Sequence, residues 1–64
     1  MTSPIMRFFK YAHLKPESQK ISAPFGVLAE WVEDNTPDGP EKSAGLRKLL
    51  EAKDCIVRAN LPPE

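Results

Sequence analysis

Cysteine and histidine occur once each, as Cys55 and His13, and that scarcity excludes whole classes of protein. A lone cysteine closes no intramolecular disulfide, which fits a reducing compartment. Structural zinc usually takes four ligands from cysteine and histidine, and one of each does not make such a site. Glycine is sparse too: positions 26, 39 and 45 fit neither the G-x-G-x-x-G nor the G-x-x-x-x-G-K-[ST] phosphate-cradling loop. No apolar run approaches the roughly 20 residues that span a bilayer, and the N-terminus lacks the apolar stretch of about 7 to 15 residues of a signal peptide. The sequence therefore reads as cytoplasmic, with no membrane partner.

An excess of one charge is also missing, since nine basic and nine acidic residues cancel. The whole-molecule field thus gives no reason to expect DNA or RNA as a partner. The order of charges is more informative. Residues 1 to 22 carry a local balance of +3, residues 30 to 42 one of −4, and residues 47 to 58 one of +2.

Sixty-four residues make one domain at most, and a chain this short buries too small a share of its surface to offset its conformational entropy comfortably. Small domains recruit disulfides, a metal or a partner chain. The first two are excluded by the counts above, so a homo-oligomer is expected.

Along the chain the pattern is all-α: a short N-terminal helix and an antiparallel helical hairpin. Residues 1 to 16 place Ile5, Phe8, Phe9 and Ala12 on one helical face, a docking segment too short to stand alone. Pro4 suits a first turn, with Ser3 or Thr2 as its cap. Residues 17 to 34 form the first long helix, with Ile21, Phe25, Leu28 and Val32 in one stripe and Trp31 widening it. Pro24 lies inside that stripe, so either the helix is kinked there or Ser22 caps a new start. Both versions free backbone N–H groups near Ser22, a usual place to hold an anion, although Ser22 as a plain cap is the simpler reading.

Asn35-Thr36-Pro37-Asp38-Gly39-Pro40 is a dense run of turn formers, and a connection that short makes its helices antiparallel neighbours. The second long helix covers residues 41 to 60, starting near Pro40 and stopped by Leu61-Pro62-Pro63. Leu49, Ala52, Ile56 and Ala59 form its apolar stripe, and Leu46, Leu50, Cys55 and Val57 spread it further than one partner helix covers. Arg47, Glu51, Asp54 and Arg58 share the remaining face, as solvated pairs Arg47–Glu51 and Asp54–Arg58, or with Arg58 free to hold phosphate with its planar fork.

No catalytic constellation emerges. Cys55 and His13 would have to supply it, and Cys55 falls on a face expected to be buried and inert, so the chain reads as a non-enzyme without cofactor or metal. Tyr11 and His13, next to Lys10, Lys15 and Lys20, combine stacking surfaces with positive charge, which is the chemistry a nucleotide needs. The plainer reading of the same residues is a docking segment whose lysine heads reach to water.

His13-Leu14, Ser22-Ala23-Pro24-Phe25, the run Leu28 to Val32, the run Leu46 to Asp54 and then Val57-Arg58-Ala59 carry a family resemblance over most of residues 11 to 60. The chain resembles the small phage proteins that act as sponges for cyclic oligonucleotide alarms, the anti-CBASS helical-hairpin family, related to sponges that counter Thoeris signalling. The resemblance implies a homo-oligomer, a hexamer in the best-known members, that sequesters cyclic dinucleotides and cyclic trinucleotides in pockets between protomers without cleaving them. It implies Tyr11 and Lys20 in a dinucleotide pocket and Arg58 in a trinucleotide pocket, with His13 and Ser22 joining through the chemistry above. Its implied location is the cytoplasm of the infected host. A small oligomeric protein-interaction module is the alternative, and a nucleic-acid binder with salt-steep affinity is a third reading.

Overall fold

The computed structural model of the chain describes residues 3–61. They form a short 3-10 helix, Pro4–Phe9, then helix α1, Pro16–Asn35, and helix α2, Pro40–Ala59. The fold is all-helical: α1 and α2 make a hairpin, and the N-terminal piece touches both. Thr2, named above as an alternative cap, and the Pro62-Pro63 stop lie outside the described residues.

Local signals explain the boundaries. Both long helices begin with proline at the first helical position, where the missing N–H costs no hydrogen bond. Glu17 and Glu41 occupy the first turns and favour the positive end of each helix dipole. At the end of α1 the Asn35 side chain donates to the Trp31 carbonyl at 2.9 Å and the Thr36 N–H to the Val32 carbonyl at 3.0 Å. At the end of α2 the Asn60 side chain and backbone N–H both donate to the Ile56 carbonyl, at 2.9 and 3.2 Å. Orphan carbonyls at both ends are thereby satisfied.

The structure corrects the N-terminal segment. A single α-helical face through Ile5, Phe8, Phe9 and Ala12 was expected, but the helix is 3-10, six residues long, and is followed by extended backbone at Lys10. Three residues per turn put Met6 and Phe9 in line and swing Phe8 outward. Phe9 is accordingly 2% exposed and Phe8 50%. Burying a phenyl side chain contributes about 1.5–3 kcal/mol, which is what anchors this short segment.

The break considered at Pro24 is absent. Helix α1 runs through it, although proline denies the Lys20 carbonyl its intrahelical donor. The buried face of α1 also differs from the large-residue stripe: Ser22, Gly26 and Ala29 are buried, while Leu28 and Trp31 are exposed. Small side chains on that face let α2 and the N-terminal piece approach closely. On α2 the buried residues are Lys42 and Leu46, whereas Ala52, Cys55, Ile56 and Ala59 face outward.

Among the described residues the core reduces to Phe9, Ala29 and Leu46, with Ile5, Met6, Phe25, Val32, Leu49 and Leu50 half-buried around it. The molecule measures 41 × 20 × 15 Å. A helix with its side chains is about 10–12 Å across, so the thin dimension holds one helical layer and a strap, with no room for a deeper interior.

Candidate functional site

The N-terminal residues singled out in the sequence are positioned by a close crossing. After Phe9 the backbone becomes extended at Lys10 and passes over α1 at Gly26. A Cβ at Gly26 would lie 2.7 Å from both Cδ1 and Cε1 of Tyr11 and 2.8 Å from the Phe9 carbonyl oxygen. Glycine inside a helix costs about 1 kcal/mol relative to alanine, and the crossing explains its presence. Beyond Tyr11 the chain turns, with the Leu14 N–H on the Tyr11 carbonyl at 3.0 Å. Gln19 then ties the turn to α1, its side-chain amide donating to the carbonyls of Ala12 at 3.1 Å and Leu14 at 2.7 Å.

Lys10, Tyr11, Ala12 and His13 form an open depression of about 400 Å³ together with Glu30 of α1. The size is within the range of small-ligand sites. Tyr11 and His13 are thus brought together, with a cation and a carboxylate on the rim. Lys10 adjoins Tyr11 in the chain, but Glu30 was not foreseen; the crossing at Gly26 is what recruits it, and a mid-helix glycine is the one sequence signal that marks that crossing.

The remaining expected residues lie elsewhere. Lys20 is exposed on α1 and Arg58 is exposed near the end of α2; the antiparallel hairpin puts both in the half away from the turn. The Arg58 guanidinium donates to the Cys55 sulfur at 3.3 Å. Among the described residues the ion pairs are Lys42–Glu33 and Lys42–Asp38, so the expected Arg47–Glu51 and Asp54–Arg58 pairs do not form. Cys55, expected to be buried, is exposed, because α1 packs on a neighbouring stripe of α2. Ser22 is buried in mid-helix, so the helix-start route to an anion does not exist there.

A second polar centre sits at the turn end of the hairpin. Lys42 Nζ, on a side chain 4% exposed, donates to Asp38 at 2.9 Å, to Glu33 Oε1 at 3.4 Å and to the Glu33 carbonyl at 2.9 Å. The Ser3 hydroxyl and backbone N–H also donate to Glu33 Oε1, each at 3.1 Å. The Ser3 hydroxyl above all, then its N–H and the Lys42 ammonium, hold the Glu33 carboxyl below its ordinary value against the upward push of burial. Lys42 in turn lowers Asp38 by hydrogen bond and charge, and its own value is raised, chiefly by Asp38. Glu33 Oε2 is buried without a hydrogen-bond partner. This centre closes the turn and pins the N-terminal strap; on the α2 side Lys53 does the same, donating to the Phe8 carbonyl with its ammonium 5.8 Å from the Phe9 ring centroid.

Comparison with protein-family models, characterised proteins and solved structures returns no match. The site therefore rests on its own chemistry. Among the described residues no group of three or more His, Cys, Asp or Glu side chains is placed to hold a metal ion, and no helix is long and apolar enough to cross a membrane. The arrangement offers a phenol ring, an imidazole and one ammonium group, Lys10, beside the Glu30 carboxylate on an open surface.

Proposed function

We propose that the chain is a phage anti-defence protein: a homo-oligomer that binds cyclic oligonucleotide second messengers in the host cytoplasm and sequesters them uncleaved, blocking CBASS signalling. The observation that carries this reading is the Tyr11 and His13 pair in one open depression with Lys10. A ring held against α1 at Gly26 is a preorganised stacking surface, and stacking is worth about 1–3 kcal/mol per base. Lysine neutralises phosphate beside it. The resemblance in the run Leu46 to Asp54 and in Val57-Arg58-Ala59 supplies the ligand class, cyclic dinucleotides or trinucleotides, and the expectation of a hexamer. It also directs Arg58, exposed near the end of its helix, toward a pocket shared between copies, with Lys20 as a further phosphate contact.

Half-open geometry supports assembly. The depression is open to solvent between Lys10 to His13 of the strap and Glu30 of α1, and in this reading a second protomer supplies a further wall. Isothermal titration with a cyclic dinucleotide and with a cyclic trinucleotide, followed by chromatography of ligand released on heating, tests the proposal. Tight binding with the ligand recovered intact is expected. Absence of heat with both ligands would overturn it.

The second reading, an oligomeric protein-interaction module without a nucleotide ligand, is favoured by the exposed large apolar side chains, Trp31 and Leu28 among them. It predicts the same assembly and silence in both titrations.

A further inference from the structure

The depression that holds Tyr11 and His13 contains one group that an anion-binding surface does not call for. Glu30 lines it together with Lys10, and the same two residues border a second hollow of about 290 Å³, which Glu33 and Asp34 help to wall. The Glu30 side of the strap is therefore acidic. Glu30 stands one helical turn beyond Gly26, on the face that the strap crosses, so the crossing that seats the Tyr11 ring also sets a carboxylate beside it. Glu30 is exposed, and both ion pairs among the described residues belong to Lys42. Lys10 does not engage it.

A carboxylate repels phosphate, so its place in a nucleotide site has to come from donors on the ligand. It is acceptor-only, and its two oxygens take two parallel N–H donors. Among the nucleobases guanine alone offers two adjacent donors on one edge, its N1–H and its N2 amino group; adenine, cytosine and uracil each set a single donor group beside an acceptor. A base stacked on an aromatic side chain presents that edge along the ring plane, to the groups that share the depression. Where an acceptor of the base meets the carboxylate instead, the carboxylate loses water and gains no partner, and that base is rejected.

We infer that Glu30 is a specificity residue that selects guanine at the Tyr11 depression, its carboxylate accepting from the N1–H and N2 amino group while Lys10 faces the phosphate. The assignment rests on the reading of this depression as a nucleotide site and goes beyond it by naming the base.

Isothermal titration of the full chain with cyclic di-GMP and with cyclic di-AMP tests it, comparing the natural sequence with Glu30→Gln and the control Glu51→Gln. Both substitutions remove one negative charge from an exposed helical position, so helical circular dichroism should persist. The natural chain should bind cyclic di-GMP more tightly by about 5- to 150-fold, the discrimination of one bidentate base contact. Glutamine turns one acceptor into a donor and is a side chain that pairs with adenine. Glu30→Gln should therefore weaken cyclic di-GMP and leave cyclic di-AMP unchanged or tighter, and Glu51→Gln should move neither. Opposite responses of the two ligands are decisive, since a lost charge alone would tighten both, and a lost ribose contact or a damaged assembly would weaken both. Either parallel change, or equal affinity of the natural chain for the two ligands, overturns the assignment while nucleotide binding stands. Silence of the natural chain to both ligands would overturn the nucleotide reading itself and the assignment with it.

Discussion

The ring of Tyr11 occupies the space into which a side chain on Gly26 would project, with a built Cβ only 2.7 Å from two ring atoms. A ring alone can rotate aside, but the Phe9 carbonyl oxygen lies 2.8 Å from the same point and belongs to backbone anchored by the buried Phe9. Gly26→Ala gains about 1 kcal/mol of helix propensity and loses more by forcing the strap away, since overpacking costs about 1–3 kcal/mol. The expected outcome is a lower urea midpoint. Tyr11→Leu in the same background should restore only part of it, because the carbonyl contact remains.

Leu46 is fully buried between α1 and the N-terminal strap, and it belongs to a core of three residues. Leu46→Ala should cost about 2–5 kcal/mol, while a domain of this length has about 3–10 kcal/mol in total. A large loss of thermal stability is expected, read by circular dichroism at matched protein concentration. Loss comparable to that of an exposed apolar truncation, such as Leu61→Ala, would contradict this core.

Much of the architecture was legible because it rests on local chemistry. The proline-led starts at Pro16 and Pro40 and the turn formers from Asn35 to Gly39 act within a few residues, so the helix limits follow from sequence. Which face is buried depends on where the neighbours lie, and hydrophobic spacing marks apolar atoms without naming their partner. Hence Ile21, Phe25, Leu28 and Val32, with Trp31 beside them, looked like the core stripe; Phe25 and Val32 do pack against the core, while the buried positions are Ser22, Gly26 and Ala29. The burial of Lys42 was hidden for a related reason: its carboxylate and its Ser3-bound partner are supplied by tertiary contact with Glu33. In the candidate site, Tyr11 and His13 could be paired from their nearness in sequence. Glu30 joins them only through the crossing at Gly26.

The Glu33 and Lys42 centre sets a pH dependence whose sign can be worked out. Glu33 and Asp38 lie below their ordinary values of 4.5 and 3.8, so their stabilisation is present above those values and is lost as pH falls toward the depressed ones. Lys42 is raised above 10.5, so its contribution holds below that value and is lost as pH rises through the raised one. Stability should be flat from about pH 5 to pH 10 as far as these groups are concerned. Glu33→Gln should flatten the acid limb of a plot of urea midpoint against pH and leave the part due to Asp38. Equal acid sensitivity in the two proteins would assign the effect to other carboxylates.

Ligand binding separates two places on the hairpin. Tyr11 and His13 share one depression, whereas Arg58 lies near the end of α2 with its guanidinium on Cys55, so substitutions at the two places should affect different ligands under the sponge reading. Tyr11→Leu keeps apolar contact with Gly26 but removes the aromatic face, and the loss of about 1–3 kcal/mol per stacked base corresponds to a fall in cyclic dinucleotide affinity of about 5- to 150-fold. Arg58→Ala should leave that affinity unchanged and weaken the cyclic trinucleotide by a similar or larger factor, because a charge-assisted fork on phosphate is lost. Arg58→Lys, a point charge without the fork, should recover only part of it. Titration of both ligands against the three variants at fixed salt decides the matter: an equal loss of both ligands in Tyr11→Leu and Arg58→Ala would mean one pocket or a common assembly defect, and sedimentation of the same samples distinguishes those two.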